Sequence, residues 1–332
     1  MSAMRVLPTF GPLHVLQPRY NARTVADRVI SESGAARRVV LASYSKEGLR
    51  NGVWRDKNEL ALFELTPYAE EGLIVIEAAG ERAEALQREG ELFAEYLNNM
   101  PRGEEIKKKL AEVQERIFDF LSAPRLPEDI ASAAFISQLA SLLDEQTAIA
   151  GEGPASGFRD SRMEQVARFL TGEGCGECVV LVDVLDYPRL MAKLPDAQGP
   201  APGEPSRREA ERAIMDRAWR LQEQDDWGAL LAQLREISSS EAQYLASQIY
   251  MAAGQVEDAL AILEEASRSD FSRPEYLPGY LLARLGQLYD VSGKRERAIR
   301  SYRAVAALSW APQEAREIAL AGLRAPFSPQ VG

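Results

Sequence analysis

Two cysteines and one histidine are all that this 332-residue sequence holds of the side chains most often used for redox chemistry, metal ligation and proton transfer. One cysteine pair cannot staple a chain of this length, so a disulfide scaffold is excluded. One histidine excludes an HExxH metalloprotease motif and any histidine-rich metal site. No apolar run approaches the ~18–20 residues that cross a bilayer. No GxxxxGK[ST] loop is present, no GxGxxG follows a strand, and no Ser or Cys sits in a nucleophile elbow. Positive charge is also short: 39 Lys and Arg stand against 50 Asp and Glu, a net charge of −11. From Arg207 onward there are 16 basic and 18 acidic residues, so −2 falls there and −9 on the part before it. An acidic N-terminal part argues against binding phosphate backbones, and so against a nucleic-acid partner. Pro8 and Pro12 stand where the apolar core of an export signal would sit, so the chain reads as unexported and cytoplasmic.

The apolar content, 46%, is that of a folded globular protein, and the length predicts two domains. The expected class is α/β plus all-α. The first domain, 1–195, should be a parallel-sheet α/β domain. Its strands are expected at 12–16, 38–43, 73–77 and 178–185; the last three are apolar without alternation, as in strands buried on both faces. Asn21 should cap the helix after the first strand, and Gly34 should end it. From about 81 to 150 the alternation stops and three helices are expected as an insertion, with Pro101 and Ala123–Pro127 as breaks. Pro195–Ser206 holds four prolines and two glycines and reads as a linker, 196–206, without a core of its own. Helices fill 207–325, and 326–332 is a tail.

Cys175-Gly-Glu-Cys178 reads as a redox pair, half a zinc site or a plain turn. Cys178 leads into a strand, whereas a redox pair of the thioredoxin kind follows one.

The stretch Leu282–Leu308 carries the most legible pattern. Leu285, Gly286 and Tyr289 mark one helix, Gly293 a turn, and Ala298 and Tyr302 a second helix. Small residues at Gly286 and Ala298 let two backbones approach, with the rings of Tyr289 and Tyr302 filling the space beside them. Tyr250, Gly254 and Ala259 repeat the pattern 39 residues earlier. This resembles the tetratricopeptide repeat, whose period is about 34; the surplus fits a loop around Pro274 and Pro278. The resemblance covers about 207–323, with Trp219 and Trp227 in a degenerate first repeat and Pro312–Leu323 as the closing helix. It implies a protein or peptide partner. Tyr244 and Tyr280 would line the concave side. Lys294, Arg297 and Arg300 would form a basic edge for an acidic peptide. Packing between repeats and a solvated face are the plainer readings of the same residues. Self-association is a further possibility of such a stack.

Residues 4–194 resemble, more in order than in motif, the superfamily of TraB/GumN, ChaN and erythromycin esterase. Gly11-Pro-Leu-His14 matches its first Gly-x-x-His, and Arg159 and Arg162 lie where its Arg-bearing helix belongs. The second His is absent, and Val182-Asp-Val-Leu-Asp186 takes its place. The resemblance implies catalytic roles for His14, Glu77, Asp183 and Arg159 at strand ends, and one divalent metal ion on His14, Glu77 and Asp186. Against it stand backbone bonding for His14, and helix capping or pairing with Arg159 or Arg162 for the acids. The leading expectation is an interaction scaffold without a cofactor, its α/β domain catalytically degenerate; the competing one is a metal-dependent hydrolase.

Overall fold

The structure, a computed structural model, describes residues 4–32, 37–79, 85–151, 157–174 and 178–328. Four strands, β1 (Arg5–Thr9), β2 (Arg38–Leu41), β3 (Val75–Ala78) and β4 (Cys178–Asp183), form one sheet in the order β1-β4-β2-β3. All pairings are parallel, as strands separated by helices require. Val6, Leu7, Val39, Val40 and Val179–Val182 are buried, so the central strands face helices on both sides.

The first strand lies earlier than the sequence suggests. Residues 11–16 form a 3-10 turn instead of a strand. Gly11 takes a positive φ of 54° and Pro12 opens the turn, which together end the extended run that the apolar residues 5–9 begin. Helix α1 (Ala22–Glu32) follows, and its start is capped as expected, Asn21 Oδ1 accepting from the Thr24 backbone at 3.0 Å. The broken helical stretch is α2 (Lys46–Arg50), α3 (Val53–Asp56) and α4 (Leu60–Glu70). Arg23 ties α1 to α4 through Glu64 at 2.9 Å and the Tyr68 hydroxyl at 2.7 Å.

Four helices make up the insertion: α5 (Ala85–Asn98), α6 (Gly103–Ser122), α7 (Pro127–Ala131) and α8 (Ala133–Ala150). Buried Gln17 anchors it, donating to the carbonyls of Leu121 at 2.7 Å and Ala123 at 3.0 Å. Then come α9 (Phe158–Phe169), β4 and α10 (Tyr187–Lys193). Cys178 opens β4; Cys175, Gly34 and most of the 151–157 loop fall outside the described residues.

The chain divides into two compact units, Met1–Ala213 and Ile214–Gly332, inside helix α11 (Arg207–Trp219). The Pro/Gly stretch belongs to the first unit. Val6 donates to the Gln198 carbonyl and Gln198 to that of Met4, each at 2.9 Å. An edge strand such as β1 exposes backbone groups that this segment satisfies, which its composition does not reveal.

In the second unit α12 (Trp227–Arg235), α13 (Ser240–Ala252), α14 (Val256–Ala266), α15 (Leu277–Val291), α16 (Arg295–Ala307) and α17 (Gln313–Arg324) pack as successive antiparallel neighbours. The turns at Gly254 and Gly293 share one geometry. Each glycine has φ above 70°, and the next residue donates to the carbonyl five positions back, Gln255 to Tyr250 at 2.8 Å and Lys294 to Tyr289 at 2.7 Å. Tyr302 is fully buried, and a methyl added at either Gly286 or Gly322 would overlap its ring.

Candidate functional site

Parallel sheets gather polar groups beyond the carboxyl ends of their strands, because loops there leave the sheet together. The register places Thr9, the last residue of β1, beside Asp183, the last of β4. Thr9 donates to Glu59 Oε2 at 2.9 Å. Glu59 immediately precedes α4 and is 4% exposed, and its other oxygen, Oε1, has no hydrogen-bond partner among the described residues. Burial pushes the Glu59 carboxyl up to about 7, against its bond from Thr9, and the charge of Asp183 adds to the rise.

Asp183 is partly exposed and accepts from the Leu185 backbone at 2.8 Å. Desolvation raises it first and the charge of Asp186 second; Arg159 and Arg162 oppose both. Ser43, just past β2, accepts from the Asp183 backbone at 2.8 Å and donates to Asp186 Oδ2 at 3.3 Å. Buried Asp186 is held by two guanidinium groups from α9, Arg159 on Oδ1 at 2.8 Å and Arg162 on Oδ2. Its charge is therefore fully compensated, while those of Asp183 and Glu59 are not.

Of the residues singled out by sequence, Asp183, Asp186 and Arg159 come together here. His14 and Glu77 do not join them. His14 is buried in the 3-10 turn, where its Nε2 accepts from the Phe10 backbone at 3.0 Å and its Nδ1 lies 3.1 Å from the Tyr20 carbonyl. With both ring nitrogens used and the ring sealed between Phe10 and Tyr20, burial lowers its pKa to about 4. Glu77 lies within β3, at the opposite edge of the sheet from β1, and pairs with Arg38 at 2.8 Å. The divalent ion expected on His14, Glu77 and Asp186 does not fit these donors: the imidazole is spent on backbone, and each carboxylate on arginine. Among the described residues no three His, Cys, Asp or Glu side chains gather as a ligand set.

In the second unit the five residues expected to meet a partner fall into two groups. Tyr244 and Tyr280 join Trp219 and Tyr276 in one aromatic cluster, with ring centroids 5.3–6.3 Å apart. Glu241 organises it, its Oε1 accepting from Trp219 Nε1 at 2.7 Å and from the Tyr276 hydroxyl at 2.9 Å. Tyr244 is buried, which pushes its hydroxyl up to about 12, whereas Tyr280 is half-exposed. Arg284 stands beside them, its Nη1 donating to Gln287 Oε1 at 2.7 Å. Lys294, Arg297 and Arg300 are exposed on the other group, and Arg297 is drawn to Glu264 at 3.2 Å.

No protein-family model, curated protein or solved structure matches this chain. Among the described residues no helix is long and apolar enough to cross a membrane.

Proposed function

We propose that the chain is a protein–protein interaction scaffold. Its helical hairpins act as a tetratricopeptide-like stack and take an extended peptide across the face formed by Trp219, Tyr244, Tyr276 and Tyr280. The observation that supports this reading best is the Glu241 carboxylate, which holds the polar edges of Trp219 and Tyr276 while Tyr280 stays half-exposed. Aromatic side chains fixed in this way offer apolar area at little further entropic cost, as rigid anchors do in other recognition surfaces. Arg284 lies next to them, its Nη1 donating to Gln287 at 2.7 Å, and its guanidinium supplies the cationic partner for a peptide carboxylate. This function needs no cofactor and no nucleic acid.

Selection of linear peptides from a displayed library against the full chain tests the reading. Selected peptides should lose about tenfold in affinity with either Tyr280→Ala or Arg284→Ala, measured at a temperature where each variant is still folded. Failure to select any peptide, or equal binding by both variants, would sink it.

A further inference from the structure

The polar cluster at the end of the sheet is not used by peptide docking, and it lies wholly in the first unit. It contains a buried carboxyl oxygen, Glu59 Oε1, that has no hydrogen-bond partner among the described residues. An unpaired ionised oxygen in such a place is costly, and the group instead keeps a proton. The groups that face it are the Thr9 hydroxyl from β1, the Ala61 backbone N–H from α4, Lys57 just before α4, and Asp183 from the end of β4. Asp183 in turn faces Asp186, Arg159, Arg162, Ser43 and the Leu185 backbone. Since both arginines are bound to Asp186, neither neutralises Glu59 and Asp183 fully.

We propose that Glu59 and Asp183 form a coupled carboxyl pair that keeps one exchangeable proton at the carboxyl end of the sheet, Asp183 being the member that meets a ligand hydroxyl or water. Two interacting carboxyls lose their protons in separated steps, the second only after the first charge is in place. Asp183 is partly exposed and Glu59 is not, so Glu59 is the positioning residue and Asp183 the reachable one. The ligand class that fits is uncharged and hydroxyl-bearing. The guanidinium groups that would attract an anion are bound to Asp186, and the hydroxyls of Thr9 and Ser43 are bonded to Glu59 and Asp186, which leaves Asp183 to meet the ligand hydroxyl. The pair would give a proton to such a hydroxyl or take one from it, a role that His14 cannot fill with both ring nitrogens bound.

The test combines a titration with a labelling reaction on the full chain. Carbon-13 spectra of the side-chain carboxyls should show Glu59 titrating near neutrality and Asp183 in two steps. Asp183→Asn should lower the Glu59 midpoint by at least half a pH unit, and Glu59→Gln should reduce Asp183 to one step. A diazoacetamide then reports reach. The carboxyl proton passes to the diazo carbon, dinitrogen leaves, and the carboxylate oxygen bonds to that carbon as an ester. At pH 6.5 Asp183 should be esterified at least tenfold faster than an exposed acid such as Glu164, and several-fold more slowly in Glu59→Gln. Independent titrations below pH 5, or labelling of Asp183 no faster than of Glu164, would overturn the proposal. If Asp183→Asn does not fold, the presence or absence of the second Asp183 step in the unaltered protein decides the coupling.

Discussion

Glu59 and His14 are buried ionisable residues whose pH effects run in opposite directions. The Glu59 carboxyl is raised from 4.5 to about 7 in the folded chain, so its contribution is fully present below pH 4.5 and is lost as pH rises through 7. The His14 imidazole is lowered from 6.5 to about 4, so its contribution is present above pH 6.5 and is lost as pH falls through 4. Between pH 5 and 7 the two slopes oppose each other, and the Glu59 effect has to be read as a difference between proteins. Glu59→Gln should gain stability over the unaltered chain as pH rises from 4.5 to 8, by roughly 3 kcal/mol in total. Urea unfolding at a series of pH values measures this; a difference that does not change with pH would refute it. Nothing in the sequence marks Glu59. An acidic residue just before a helix reads as a favourable partner for the helix dipole. Its burial depends on Thr9, fifty positions away, which only the β1–β4 register brings near. Asp183 was legible because it stands at a strand's end, where a parallel sheet collects polar groups, whereas Arg159 was reached only through the resemblance of its helix. The sequence left His14 between a ligand role and backbone bonding, because a histidine after an apolar run looks the same in both cases; the structure shows the backbone bonds.

At the scale of elements, the hairpins owe their close contact to two glycines that flank one ring. Tyr302 lies where a methyl on Gly286 of α15 or Gly322 of α17 would overlap it. Gly286→Ala should therefore cost about 1–3 kcal/mol by overpacking. Pairing it with Tyr302→Leu should restore part of that loss, because the two changes share one volume. Thermal unfolding of the single and double variants checks this; additive losses would show that the ring is not the obstacle. Ala298 was readable because Ala259 stands 39 residues before it, and Gly286 and Tyr302 because they fit the resembled repeat's pattern of small and aromatic positions. Gly322 was not, since it lies in a third helix outside that spacing. The strand placed at 12–16 failed for a local reason: Gly11 and Pro12 govern the backbone there more strongly than the apolar side chains do.

For the whole molecule, composition located a change between halves but assigned the Pro/Gly stretch to neither. Proline-rich segments lack the periodicity that announces a partner, so their pairing with an edge strand leaves no trace in sequence. The first unit should need it. A chain ending at Leu194 loses the bonds of Gln198 with Val6 and Met4, and those of Glu209 with Asn21 and Thr24, at 2.9–3.1 Å. At about 1 kcal/mol for each hydrogen bond, it should unfold roughly 3–5 kcal/mol more easily than a chain ending at Ala213. Equal urea midpoints for the two truncations would contradict this.

Asp290 carries one more consequence. Its buried carboxylate accepts from Arg295 at 2.9 and 3.0 Å, from the Tyr302 hydroxyl at 3.0 Å and from the Phe327 backbone at 2.8 Å. Arg295 also reaches the Gly322 carbonyl at 2.7 Å. In a series of packed helices the outermost ordinarily open first. Here the segment beyond α17 is riveted to the loop side of α15, so the last helix cannot peel away before the rivet fails. Amide exchange should accordingly be as slow at Leu323 as at Leu288, instead of rising toward the terminus.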